Sequence, residues 1–381
     1  MSASYLEYQV KYVPTGLRKL LYVNWPLVAL VAACCGIGFV MLTSVAGGRL
    51  DTWAEPQIQR FGLGFVLMMM VALTPIWVWR SVSWFAYLVS IGLLVLVELI
   101  GEVGMGAQRW IDIGPLRLQP SEVAKITLVM ALAAYYDWLP TRRVSNPIWL
   151  VPPLILIFLP VGLVLAQPNL GTAVLIMGTG AAVLWCAGVH WAYFAVVFGS
   201  IGGAVFAVLE SRGTPWQLLH DYQYRRIDTF LDPTTDPLGA GYNITQAKIA
   251  LGSGGFAGKG FMQGTQSRLN FLPEKHTDFI LNTLAEEFGF LGSITLLVLY
   301  GLILLFLFSA VLQARDRFSS LLITGIGVSF FLLFAVNMLM VMGLAPVVGV
   351  PLPLVSYGGS QLLVLLIAFG LVQSAHVHRP R

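Results

Sequence analysis

Charge is scarce in this sequence. Only 10% of its 381 residues are Asp, Glu, Lys or Arg, against roughly 25% in a soluble domain, and that excludes an ordinary water-soluble fold. Cysteine is almost missing as well. Cys34, Cys35 and Cys186 all lie in apolar stretches, which gives neither a disulfide framework nor a metal motif. There is no low-complexity tract and no repeat with a period of roughly 20–50 residues, so solenoids and arrays are excluded. No cleavable signal peptide is evident, because the first apolar run starts near residue 25 and is too long for an h-region. Several catalytic motifs are missing too. No His pair at i,i+4 brackets a Glu, which excludes a zincin, and no Gly-x-Ser-x-Gly elbow is present. Gly258-Lys259 is no phosphate loop, since Ser253 stands where the upstream Gly is required and Gly260 replaces the Ser/Thr.

What is present is apolar. Hydrophobic residues make up 57% of the chain and aromatic ones 12%, a composition that suits membrane spans with aromatic belts at their ends. Taking about 20 residues per crossing, the apolar runs predict an all-α polytopic membrane protein with about ten spans. These fall near residues 25–46, 61–79, 84–101, 122–138, 147–166, 171–187, 190–209, 283–311, 319–342 and 360–377. The whole chain, 1–381, reads as a single transmembrane domain with one large loop, 210–282, between spans seven and eight. An even span count puts both termini on one side. Lys11, Arg18, Lys19, Arg80, Arg142, Arg143, Arg315, Arg317, Arg379 and Arg381 cluster there, which makes it the cytoplasmic side. The 210–282 loop then faces outward. The net charge of +4 follows from this topology and gives no reason to expect nucleic acid.

Three outward stretches are unusually polar. In "GAQRWIDIGPLRLQPSEVAK" (106–125), Pro120 suits a first helical turn. Glu122 then gains from the helix dipole, and Lys125, three residues on, shares its face. A capped helix start with an ion pair explains this, and so does a polar cavity at membrane depth, where ionisable groups usually line a pathway or site. Arg109 could add a positive charge to such a cavity. "QPNLGTA" (167–173) breaks the helix between two apolar runs, either as a plain hairpin or as non-helical backbone buried in protein. In the large loop, "ITQAKIALGSGGFAGKGF" predicts a short amphipathic helix with Ile244, Ala247 and Leu251 on one face, followed by a glycine-rich loop packed on or into the membrane. "FLPEKHTDFILNTLAEEFG" (271–289) then sets four carboxylates, Lys275 and His276 at the mouth of an apolar run. Asp278 there could be a helix N-cap, which would leave Glu274, Lys275, His276, Glu286 and Glu287 unexplained.

The chain resembles the SEDS (shape, elongation, division and sporulation) family of peptidoglycan glycosyltransferases. The resemblance rests on "GAQRWIDIG…QPSEVAK", "QPNLGTA", "DPLGAGYNITQAKIALGSGGFAGKG", "GTQSRLNFLPEKHTDFI", "AEEFG" and "GVPLPLVSYGGS", in order over nearly the whole chain. It implies a ten-span SEDS fold in a bacterial cytoplasmic (inner) membrane. The implied activity is polymerisation of lipid II, a disaccharide-pentapeptide on undecaprenyl pyrophosphate, during cell elongation. The family's essential aspartate falls on Asp278, and its paired Glu and Lys on Glu122 and Lys125. Two positions depart from the family pattern: Asn169 stands where Asp is usual, and Gln361 follows Ser360 where Ser or Ala is common.

The chemistry agrees with the residues. Joining two sugars needs a base for the attacking hydroxyl, worth about 10²–10⁴-fold, and cations for the leaving pyrophosphate. Asp278 is the candidate base. Glu122, Lys125, Arg109, Gln119, Lys275 and Arg268 are the candidate substrate-binding residues. An α-linked donor and one in-line displacement would give inversion. The residues name no metal ligands, and whether a divalent cation, Mg or Mn, takes part stays open. The resemblance also implies a class B penicillin-binding protein (a transpeptidase) as partner, docked on spans eight and nine, together with other elongation complex proteins. Small residues in those spans (Gly301, Ser309, Ala310, Gly325, Gly327) would permit close helix approach. Two alternatives are a lipid II flippase, which would need polar lining on both sides, and a non-catalytic scaffold for the penicillin-binding protein, which would need neither Asp278 nor the Glu122–Lys125 pair.

Overall fold

A computed structural model describes residues 16–104, 107–114, 116–214, 217, 224, 228, 240–269 and 274–379. A 3-10 segment (Gly16–Tyr22) leads into α1 (Trp25–Val45), α2 (Ala54–Leu73) and α3 (Ile76–Ile100). A small antiparallel sheet follows, in the order β1 (Glu102–Gly104), β2 (Ala107–Ile113), β3 (Leu116–Leu118). Next come α4 (Pro120–Trp138), α5 (Pro147–Ala166), α6 (Leu170–Ala187) and α7 (Trp191–Glu210). The chain continues through the short α8 (Ala240–Ser253) and α9 (Thr265–Arg268) to α10 (Ile280–Gln313), α11 (Arg317–Val341) and α12 (Gly359–Val377). Part of the loop expected between 210 and 282, including both Asp-Pro pairs, lies outside the described residues.

Nine of these helices are long and apolar enough to cross a membrane. The fourth run of the sequence, α4, is 19 residues long but carries Glu122, Lys125 and Asp137, which lower its hydropathy. It is the central helix, buried along almost its whole length and packed against α3, α5, α6, α11 and α12. The second and third spans begin earlier than their apolar runs suggest, at Ala54 and Ile76. The break falls at Thr74-Pro75, where the proline ring excludes the helical conformation from the preceding residue and Thr74 turns extended at ψ 131°.

Long-range bonds sort the helix ends into two groups. At one end the Asn24 amide donates to Gln373 Oε1 (2.9 Å) and Ser374 Oγ to the Thr74 carbonyl (2.6 Å). There too Arg317 donates to the carbonyls of Leu139 and Ala187, both at 2.9 Å. The first and last described segments, Gly16–Tyr22 and the end of α12, lie at this end. At the opposite end the Gln119 amide meets Ser360 Oγ (3.2 Å) and Gln57 meets the Ser356 carbonyl (3.1 Å). Helix starts are capped by local side chains, Asn24, Asn146, Asn169 and Asp316 each accepting an amide of the first turn, as such residues do when they satisfy otherwise orphaned donors.

The small residues of α11 do not face outward. A Cβ added at Gly325 would lie 2.4 Å from Val129 Cγ1 and 3.0 Å from Val183 Cγ2. One added at Gly327 would sit 3.6 Å from Leu307 of α10. These glycines let α11 close on α4, α6 and α10, so they serve the core and not a docking groove. The outward side of the α10–α11 pair is made of large side chains, Val298, Leu305, Phe308 and Phe331 among them.

Candidate active site

Asp278 lies in the turn that precedes α10, half-buried. It is not the N-cap: that position is Phe279, and no side chain caps this helix. Its carboxylate makes no hydrogen bond among the described residues, while its backbone is firmly held. Asn337 of α11 donates through Nδ2 to the Asp278 carbonyl (2.9 Å) and to that of Val350 (2.7 Å). Ser356 Oγ donates to the Thr277 carbonyl, and the Tyr357 amide to that of His276 (2.9 Å). Gly349, in left-handed backbone at φ +67°, runs beside the carboxylate, and a Cβ there would come within 3.5 Å of Asp278 Oδ2. A rigid frame thus presents a chemically uncommitted carboxylate.

Burial, and then the neighbouring charge of Glu274, push the Asp278 carboxyl up to about 6. Both causes penalise the ionised form. Burial lowers Lys275 and His276, although Glu274 partly opposes the shift at His276, whose Nε2 lies 3.9 Å from it. The His276 ring stacks on Trp53 with centroids 4.0 Å apart, and Tyr357 meets Trp53 edge-on.

The other expected residues divide. Glu122 and Lys125 form a buried pair at 2.9 Å with side chains 9% and 3% exposed, as the i,i+3 spacing predicts. Gln119 joins α4 to the start of α12 through its amide. Arg109 donates from Nε to the Gln167 carbonyl (3.1 Å) and from Nη2 to that of Pro168, so its charge is spent on holding the "QPN" turn. That turn backs the site: a Cβ at Gly171 would fall 2.8 Å from the Val348 carbonyl, next to Gly349. Lys275 donates to the Ser267 carbonyl (2.6 Å), and Arg268 is exposed. The three polar stretches therefore meet through the 348–360 segment. Asn169 caps α6 by accepting the Thr172 amide (3.3 Å), a role Asp would also fill, so the departure at this position changes charge and not fold. Gln361 donates to the Pro351 carbonyl (3.4 Å), bracing the same segment.

Glu286 and Glu287 prove structural. Glu286 is fully buried and accepts from Lys259 Nζ (2.6 Å), the Thr265 amide (2.8 Å) and Thr265 Oγ1 (2.9 Å). Glu287 accepts from Ser44 Oγ. Helix α10 breaks at Gly289 (φ 64°, ψ −155°), and the freed carbonyls of Glu286 and Glu287 accept the amides of Lys259 (3.0 Å) and Gly260 (2.9 Å). The glycine-rich loop is glycine-rich for this reason. A Cβ at Gly254 or Gly258 would lie 1.9 Å or 2.1 Å from an α10 carbonyl oxygen. Nothing local in the sequence signals this docking. A groove of about 620 Å³ between α1 and α10 is lined only by apolar and small residues and Thr295, so it holds no chemistry. Among the described residues no three His, Cys, Asp or Glu side chains converge as metal ligands would.

The sequence pattern of the FtsW/RodA/SpoVE family, described as cell cycle proteins, matches residues 25–381. The chain belongs to this family. It is 44% identical over 337 residues to peptidoglycan glycosyltransferase MrdB of Escherichia coli K12, covering 88% of each chain. It is 34% identical over 355 residues to stage V sporulation protein E of Bacillus subtilis 168, covering 91% of this chain and 94% of that one. Among solved structures it is similar to Thermus thermophilus rod shape determining protein RodA, with TM-score 0.70 and 29% identity over 94% of this chain and 98% of that one. It is also similar to a chain solved in work on structural coordination of polymerization and crosslinking by a peptidoglycan synthase complex. There the TM-score is 0.79 and the identity 32%, over 93% of this chain and 97% of that one. The family fold and the helix bundle described above therefore agree over nearly the whole length.

Proposed function

We infer that this chain is a peptidoglycan glycosyltransferase of the bacterial cytoplasmic membrane, polymerising lipid II into glycan strands. The observation that carries the mechanism is the Asp278 carboxylate, rigidly framed, without a hydrogen-bond partner among the described residues and raised to about 6. At neutral pH such a group is ionised and yet a better proton acceptor than an exposed carboxylate. It takes the proton of the attacking sugar hydroxyl as that oxygen bonds to the anomeric carbon of the other lipid II. The bond from that carbon to phosphate breaks on the opposite face, and undecaprenyl pyrophosphate leaves with the electron pair. One displacement inverts the centre, so an α-linked donor gives a β-linked strand. The buried Glu122–Lys125 pair places a fixed dipole at the start of α4 for the sugar and phosphate groups.

Ten helices, α4 included, would cross the membrane with both termini in the cytoplasm and the Asp278 end outside. The basic residues at the terminal end support this orientation. A class B penicillin-binding protein would dock its single anchor on the exposed large side chains of α10 and α11, the eighth and ninth long helices.

Purified protein given lipid II, alone and with its penicillin-binding partner, tests the reading. Wild type should yield glycan polymer and Asp278→Asn none, with both variants equally folded. Polymer from the Asn variant at wild-type rates would remove Asp278 as base. Movement of lipid II between vesicle leaflets without polymer would make the chain a transporter instead.

A further inference from the structure

Of the basic side chains expected around the leaving pyrophosphate, all but the exposed Arg268 are committed, and so is the nearby Arg117. Lys125 is paired with Glu122, Arg109 holds two carbonyls, Lys275 holds the Ser267 carbonyl, and Arg117 is paired with Asp112 at 3.2 Å. Arg60 differs. This side chain of α2 has a buried Nη1 with no hydrogen-bond partner, and no acidic side chain among the described residues pairs with it. Its position is nevertheless fixed. The guanidinium lies over the Tyr357 ring, 4.9 Å from the centroid, a cation–π contact that helps to place it. A Cβ added at Gly359 would approach Arg60 Cζ to 3.7 Å, so the glycine leaves the guanidinium room on that side.

Arg60 also flanks the segment that frames the proposed base. Gln57, one turn earlier on α2, donates to the Ser356 carbonyl (3.1 Å). Ser356 and Tyr357 in turn bind the carbonyls of Thr277 and His276, next to Asp278. A half-buried guanidinium whose enclosed Nη1 lacks a partner gains from an anion that completes it, and its planar donor fork matches phosphate oxygens. The start of α12, at Gly359 beside Arg60, adds the positive end of a helix dipole.

We propose that Arg60 binds the pyrophosphate of the lipid-linked donor and stabilises the charge that develops as it leaves. This rests on the glycosyltransferase reading and supplies the cation for which sequence pattern alone nominated other residues. In the Michaelis complex Arg60 holds phosphate oxygens on one side of the 356–358 segment while Asp278 receives the hydroxyl proton on the other.

The test measures binding of farnesyl pyrophosphate and of farnesol to the full-length protein in detergent, alongside lipid II polymerisation. Wild type should polymerise lipid II and prefer the pyrophosphate. Arg60→Gln should lose about tenfold or more in affinity for farnesyl pyrophosphate, as expected for charge-assisted hydrogen bonds, with farnesol binding unchanged. Arg60→Lys, which keeps charge and the ring contact, should fold normally and lose less. In polymerisation Arg60→Gln should raise KM for lipid II and lower kcat. A wild type that polymerises while Arg60→Gln or Arg60→Lys binds the pyrophosphate as tightly as wild type would overturn the proposal. So would a wild type that polymerises without preferring the pyrophosphate, and so would equal loss of both ligands in the two variants, since that marks a structural role. A wild type that binds the pyrophosphate through Arg60 but forms no polymer would overturn the glycosyltransferase reading and leave the anion site standing.

Discussion

Lowering the pH should switch the reaction off well above the range of an ordinary carboxylate. With Asp278 at about 6, about 91% of it is ionised at pH 7 and about 9% at pH 5, so the polymerisation rate should fall about tenfold over that interval. A carboxylate at its usual value near 3.8 would stay about 94% ionised at pH 5 and lose almost nothing. The direction follows from the cause: burial and Glu274 favour the neutral form, and the base works only when ionised. Glu274→Gln removes the second cause and leaves the first, so its acid limb should shift to lower pH without reaching the unperturbed value. Stability moves the opposite way. Between the ordinary carboxylate value and about 6 the folded state holds a proton that the unfolded chain has lost, so stability declines as pH rises through that window. At pH 7.5 Asp278→Asn should therefore unfold at a higher temperature than wild type. The gain is at most about 3 kcal/mol, from about 2 pKa units at about 1.4 kcal/mol each, and solvent screening of the half-buried side chain reduces it. The assay is the initial rate of glycan synthesis from lipid II between pH 5 and 8, read beside thermal unfolding of the same samples. A flat rate profile from pH 5 to 7, or an Asn variant less stable than wild type at pH 7.5, would refute the reasoning.

The buried Glu122–Lys125 pair should behave as a unit. Glu122→Ala or Lys125→Ala alone leaves one charge unpaired in the core and should cost about 3–5 kcal/mol together with all polymer formation, while Glu122→Gln combined with Lys125→Met should recover most of the thermal stability and none of the activity. For the partner, a photo-crosslinker at Val298 or Phe331 should capture the anchor of the penicillin-binding protein; capture from α2 and α3 in its place would move the interface. Gly325→Leu should destabilise the bundle itself, since its side chain would enter the space of Val129, and unaltered thermal unfolding of that variant would contradict the packing described.

Much of the bundle was legible in the chain because bilayer spans are a local property. Twenty apolar residues announce a helix wherever they stand, although the second run, 61–79, extends across the end that Thr74-Pro75 makes. The pairing of Glu122 with Lys125 was legible for the same reason, as three residues on one helix lie on one face. The motif order likewise identified the family and singled out Asp278.

What sequence could not assign was the partner of each polar side chain. Glu286 and Glu287 stand eight and nine residues beyond Asp278 and look like part of one acidic cluster, yet they bind Lys259, Thr265 and Ser44. Arg109 and Lys275 looked like ligands for phosphate and are held by carbonyls. Arg60 carried no signal in the sequence and lies over Tyr357 with Nη1 unpartnered. Gly325 looked like a docking surface and seats α11 on α4. Each outcome depends on a contact between segments far apart in the chain, and no local pattern of hydropathy or spacing carries that information. Composition and order alone determined that this chain is a membrane-spanning helical bundle of the FtsW/RodA/SpoVE family. Only tertiary packing, of the glycine-rich loop on α10, of the 167–168 turn on Arg109 and of the 348–360 segment around Asp278, decided which ionisable groups are spent on structure and which stay unpaired among the described residues, because a buried charge is defined by its nearest partner.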